Sequence, residues 1–226
     1  MLRRLVRNAA LTVHPTASGK AGPIHFYEIE RKYTMIEKAV EAFSCVLARG
    51  DGWGSLNGNV PVSPELAFIV KGQLAAWYAM AAPQEVAVPW FVEWLNFCVP
   101  SGLWECQEGY RYSVGQPGAP ATDWEPAWVV VGDCSGDPVI VDTKEEDCPV
   151  LMAVHGRGTW APRVVAPSLA EFLLLLTRWL EVWLQAGGQI RGEDGGLLPS
   201  VLDAALGPVD AALSKECREN FMCFVG

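Results

Sequence analysis

Between Trp128 and Trp183 the chain passes from two-residue to helical periodicity with little between, and this change constrains its fold more than any other feature. Apolar runs at 127–131, 139–143, 150–154 and 159–165 are punctuated by turn residues at 132–137 and 155–158, which predicts four strands of a mainly antiparallel sheet. Ser168, followed three residues later by Glu171, predicts a capping box at a helix start. Behind it Leu169, Phe172, Leu173, Leu176, Trp179, Leu180 and Trp183 form a broad apolar stripe. Leu174, Leu175 and Val182 widen that stripe, so the helix must be covered on more than one side before Gly187-Gly188 stops it.

A chain of 226 residues, half of them hydrophobic, is long enough to bury a full core. Its ten tryptophans must either fill that core or make an interface. Seventeen basic against 26 acidic residues give a formal charge of −9, which disfavours nucleic acid and membrane phosphate and favours basic partners. The seven cysteines form no CxxC pair and no even framework, as expected of a reduced, cytoplasmic chain. The arginine-rich start, MLRRLVRNAALTVH, lacks the apolar run of a secretory signal and reads as a frayed amphipathic segment. The longest apolar run, 169–184, contains Glu171, Arg178 and Glu181 and is shorter than the ~20 residues of a membrane span.

In the first half, Ile29, Tyr33, Ile36, Val40, Phe43 and Leu47 recur at steps of four and three, predicting an amphipathic helix over 28–49. A glycine-rich loop follows at 50–59. Ser63-Pro64-Glu65 has the residue types of a helix start, and Leu66, Ile69, Val70, Leu74, Trp77 and Tyr78 would be its buried side. Trp90, Phe91, Trp94, Leu95 and Cys98 predict a further helix between Pro89 and Pro100. The residues 103–106 and 110–114 around Gln107-Glu108-Gly109 predict a hairpin. After 187, short helices are expected near 201–206 and 209–217.

Chemistry is scarce. Only His14, His25 and His155 are present, and a Cys-His-Asp arrangement would require Cys134 or Cys148 beside His155 and Asp142. Neither cysteine has the glycine-flanked elbow or helix N-terminus that lowers a thiol pKa. Asp133, Ser135 and Asp137 have calcium-loop spacing, but Pro138 stands where glycine is needed and Lys144 where a bidentate glutamate is needed, so a polar turn is the simpler reading. No zinc spacing and no phosphate loop occurs, and no catalytic, metal or cofactor residue is assigned. What remains is charge: Asp142, Glu145, Glu146 and Asp147 surround Lys144 at the end of one predicted strand. Such a patch can steer a basic protein partner, with Trp53, Trp104, Trp124 and Trp160 as candidate anchors.

The order Gly132-Asp133, Gly136-Asp137, Asp142, Val154-His155 and then 167–176 (PSLAEFLLLL) resembles the C-terminal half of a SUKH domain. In that family a strand ends in a GDxxGD turn, a second strand has an acidic end, a third carries a V...H element, and a helix of this type closes the domain. The resemblance implies an α+β fold: a twisted, mainly antiparallel sheet packed by helices, with a helical N-terminal extension and a C-terminal tail. Residues 1–27 would be a frayed start, 28–187 the domain and 188–226 a helical tail packed on it. It also implies a non-catalytic immunity protein, cytoplasmic, that binds and neutralises a cognate basic toxin of an interbacterial competition system without touching nucleic acid or membrane. The alternatives are a regulatory scaffold of the same fold, as in the fungal members, and a small hydrolase using Cys134 or Cys148 with His155.

Overall fold

The computed structural model describes residues 23–58, 60–91, 93–116, 121–206 and 215–223. The chain divides into a unit Met1–Arg31, described from Pro23 as helical backbone, and a unit Lys32–Gly226 that carries both sheets and the remaining helices. The arginine-rich start, the side chains of His25, Ile29 and Tyr33, and the segment 209–214 lie outside the described residues.

Helix α1, Pro23–Leu47, buries Ile36, Ala39, Val40, Phe43, Val46 and Leu47 at the three- and four-residue steps of an amphipathic helix. Beyond it, β1 (Ser55–Asn57) pairs antiparallel with β2 (Ala82–Gln84) in a small two-stranded sheet. Between them the expected helix start at Ser63 is only a run of turns, and the helix proper is α2, Gly72–Ala81. Two contacts explain the delay. The Ser63 hydroxyl donates to Pro100 O (3.2 Å) and Ser101 O (3.0 Å) and accepts from Trp104 N–H (3.1 Å), so it ties loops together and caps nothing. Gly72 sits at φ +54, and a Cβ there would lie 2.4 Å from Glu146 O, so a close approach resets the backbone before α2 begins.

The main sheet is an antiparallel meander of β3 (Ala87–Trp90), β4 (Glu93–Phe97), β5 (Trp128–Cys134), β6 (Asp137–Asp142), β7 (Val150–Met152) and β8 (Arg163–Ala166), in that order. The architecture is therefore mixed α+β. The helix expected over 89–98 is instead the β3–β4 hairpin, with Val88 opposite Leu95 and Trp90 opposite Glu93. Trp94 and Leu95 fit either period. Pairing of Leu95, Asn96 and Phe97 with β5 decides for the strand and leaves Trp94 49% exposed. Pro89 is tolerated because β3 is an outer strand, where a missing N–H breaks no ladder. The β5–β6 turn has Ser135 and Gly136 both at positive φ (51° and 92°), the geometry of a two-residue hairpin turn, and Asp133 Oδ2 accepts Gly136 N–H.

Alternation along the strands makes two cores. Val129, Val131, Val139, Val141, Val150, Met152 and Val165 face the large one, against α3 (Leu169–Gln185). Ser168 caps α3: its Oγ accepts Glu171 N–H (3.1 Å) and donates to Glu171 Oε2 (3.0 Å). The wide stripe is covered as expected, since Phe172, Leu173, Leu175, Leu176, Trp179, Leu180 and Val182 are all buried and α4 (Pro199–Leu206) lies alongside. Helix α5, Lys215–Cys223, reaches both outer strands: Phe221 packs on Trp90 of β3 (ring centroids 5.1 Å), and Asn220 Nδ2 donates to Val164 O of β8 (3.0 Å).

The opposite side is a smaller core of Trp124, Val130, Ile140, Leu151 and Ala153. Its cover replaces the hairpin expected at 103–114. Two short 3₁₀ turns, Pro100–Gly102 and Glu105–Gln107, lead instead to two buried polar side chains that grip β5. Gln107 Nε2 donates to Val130 O and Gln107 Oε1 accepts Val130 N–H, both at 2.9 Å, next to the register shift between Val130 and Gly132. Arg111 Nη1 donates to Pro126 O and Trp128 O, both at 3.0 Å.

Candidate functional site

The acidic segment after β6 is held almost entirely by its backbone. Glu146 O accepts Gln73 N–H (3.0 Å), Asp147 O accepts Leu169 N–H (3.0 Å), and Cys148 N–H donates to Glu145 O (3.1 Å). Gln73, 6% exposed, is the organiser: its Nε2 donates to Asp147 Oδ1 (3.4 Å) and its Oε1 accepts Ala170 N–H (2.8 Å) at the start of α3. The Cys148 thiol adds a contact to Lys71 O (3.4 Å). At the other end, Asp142 Oδ1 accepts Lys144 N–H (2.9 Å), and Thr143 is tied to Ala127 O through both N–H and Oγ1. The starts of α2 and α3 therefore meet on this loop, while Lys144, Glu145 and Glu146 project into solvent. Among the described residues none of these three makes an ion pair.

The four tryptophans are not equivalent. Trp53 is 2% exposed, edge-on to Trp183 (5.5 Å), and Trp124 is 6% exposed, donating from Nε1 to Trp128 O (3.2 Å). Both close cores, so neither is an anchor on the surface of the folded chain. Trp104 is half-buried against Tyr112 (4.6 Å), and Trp160 is half-buried against Tyr110 (5.6 Å) and Trp124 (5.8 Å). The residue that links aromatic and acidic groups was missed in the sequence. Trp128 is the cross-strand partner of Asp142, and its ring meets Trp124 edge-on at 5.6 Å. Aromatic rings thus continue from the acidic loop along the second face to Trp160. The alternation of β5 against β6 was the available signal, since a hairpin at 134–137 sets Trp128 opposite Asp142 once one extra residue is allowed for the bulge.

His155 binds Asp137, not Asp142: Asp137 Oδ1 accepts the His155 backbone N–H (2.8 Å) and lies 2.7 Å from Nδ1. The two candidate thiols are in the wrong state for a nucleophile. Burial, followed by Glu93, Asp137 and Asp133, pushes Cys134 up to about 11, and burial likewise pushes Cys148 up to about 11. At neutral pH both stay protonated, whereas the attacking species is the thiolate. Among the described residues no group of three or more His, Cys, Asp or Glu side chains is placed to hold a metal ion, and no helix is long and apolar enough to cross a membrane.

No family model, curated protein or solved structure matches this chain.

Proposed function

We propose that the protein is a non-catalytic binding module, an immunity protein of the SUKH type, that neutralises a basic toxin by docking it on the acidic loop 142–147. The observation that carries this reading is the contrast inside the loop, where hydrogen-bonded backbone presents the exposed carboxylates of Glu145 and Glu146 to solvent. Charges held in place lose little freedom on binding and act over a distance to speed encounter with a cation-rich surface. Half-buried Trp128 and Trp160 extend that surface with aromatic area of the kind that supplies binding energy.

The experiment is co-expression of the chain with a basic toxin domain encoded beside it, scoring growth and measuring association kinetics. A Glu145→Lys, Glu146→Lys double variant should slow association and flatten its salt dependence without changing the melting midpoint. Trp160→Ala should instead speed dissociation. Protection and binding equal to the parent at both low and high salt would reduce the acidic loop to a solvated turn and end this reading.

A further inference from the structure

Of the ten tryptophans only Trp94 is exposed, at 49%. Its strand explains why. Leu95 and Phe97 of β4 face the large core, so Trp94 and Asn96 point to the second face of the sheet. The small core on that face is built from Trp124, Val130, Ile140, Leu151 and Ala153, and takes nothing from β3 or β4. Its cover ends beside the β5–β6 turn, where the Tyr110 hydroxyl donates to Gly136 O (3.1 Å). The second face of the β3–β4 hairpin is therefore open, with Pro89 directly opposite Trp94 and Asp133 of β5 directly opposite Asn96.

The hairpin itself is firmly held. Cys98 N–H, just past β4, donates to Val131 O of β5 (2.9 Å). On the outer edge of β3, Ala87 N–H donates to Trp53 O (3.2 Å) and Pro89 O accepts Trp179 Nε1–H (2.8 Å). With that edge occupied, a partner meets the hairpin through side chains on its face and not by adding a strand.

The chemistry of the face limits what fits it. No lysine or arginine occurs between Lys71 and Arg111 or between Arg111 and Lys144, so strands β3 to β6 carry carboxylates and no basic side chain. Glu93 is exposed beside Trp94, and Asp133 is its diagonal cross-strand neighbour, a spacing of about 7–8 Å that a long side chain can bridge. Asp133 Oδ2 accepts Gly136 N–H (3.1 Å), which holds that carboxylate in place. Among the described residues neither acid makes an ion pair. An exposed indole beside two carboxylates is complementary to a cation on an apolar stem. Guanidinium suits it better than ammonium, because its plane stacks on the ring while its N–H groups reach the carboxylate. The chain uses such a contact internally, with Arg111 over the Tyr112 ring at 5.6 Å.

We propose that the open second face of the β3–β4 hairpin is a docking surface for an arginine-bearing segment of a protein partner, its guanidinium stacked on Trp94 and paired with Asp133 while Glu93 adds attraction. Asp137, at this end of β6, and Asp142 at the other are about 17 Å apart in an extended strand. The surface is therefore separate from the loop 142–147 and stands whether or not a toxin binds there.

The test is a titration of the full chain, followed by backbone amide chemical shifts, with short peptides identical but for two positions filled by arginine, lysine or citrulline. The same titrations on the Glu145→Lys, Glu146→Lys variant separate attraction to the acidic loop from binding at the hairpin. With the arginine peptide the amides of Trp94, Asn96 and Asp133 should shift and saturate in both proteins. Binding there should be roughly two- to fivefold weaker with lysine, lost with citrulline, and weakened at least as much as by lysine in Trp94→Ala. Shifts confined to 142–147 and lost in the double variant, or equal affinity for arginine and lysine at Trp94, would overturn the proposal. So would shifts at Trp94 that grow with protein concentration alone, since a second copy would then cover this face. The titrations of the unmutated protein need no variant to fold.

Discussion

The two faces of the six-stranded sheet are covered by different physics. On the large side, apolar side chains meet apolar side chains: Trp90 and Phe91 pack with Phe172, Trp179 and Phe221 at ring separations of 4.0–6.4 Å. A single directional bond, Trp179 Nε1 to Pro89 O at 2.8 Å, pins this cluster, and the indole N–H groups of Trp77 and Trp90 are buried without partners. On the small side five of the described residues are buried in the cluster, and their cover is fastened by Gln107 and Arg111 bonding to the backbone of Val130 and Trp128 in β5. Area can stabilise the first face, because burial of large aromatics contributes in proportion to the surface removed from water. The second has too little area, so its loop is kept in place by hydrogen bonds whose loss would leave buried backbone groups unpaired.

Substitutions sharpen that contrast. Trp179→Ala removes a filled volume and the one pinning bond together, and should cost about 3–5 kcal/mol in denaturant unfolding, with Leu176→Ala in the ~2–5 kcal/mol range. An unchanged midpoint would mean that the large face does not depend on its aromatic packing. Gln107→Ala should cost about 1–3 kcal/mol by leaving Val130 N–H and C=O without partners, and should raise amide exchange at Val130 more than at Val141. If exchange rises equally across β5 and β6, the loop is not a separate unit. Ser168→Ala, which removes only the cap of α3, should cost on the order of 1 kcal/mol by the same unfolding measurement. The Glu145→Lys, Glu146→Lys pair should shift stability by less than about 0.5 kcal/mol, because both side chains are exposed and the loop is tied by backbone. A larger loss would show that these carboxylates serve the fold and not a partner.

Much of the second half could be read from the residues. The β5–β6 hairpin and the capped α3 follow from their periodicities, β7 and β8 were expected but are shorter than the runs 150–154 and 159–165 that announced them, and the acidic loop was visible as a run of charge. The first half resisted because its apolar residues fit two periods at once. Trp90, Phe91, Trp94 and Leu95 describe a helical face as well as a hairpin, and only the neighbouring strand β5 selects between them. The segment 103–112 misled for a related reason. Its alternation is real, but Gln107 and Arg111 point at β5, and their target did not exist until the sheet was formed.

By itself the sequence determined the local elements whose signals are self-contained: a capping serine with its glutamate, a polar turn within 132–137, and amphipathic stripes broad enough to demand cover. It also determined that the acidic loop would carry charge. Only the tertiary structure decided which tryptophans are core, which strand Cys98 and Gln107 share, and that Trp128 stands across from Asp142. Each of those depends on residues far apart in the chain arriving at one place, and a side chain's burial or pairing is a property of that arrival, not of its own neighbours in sequence.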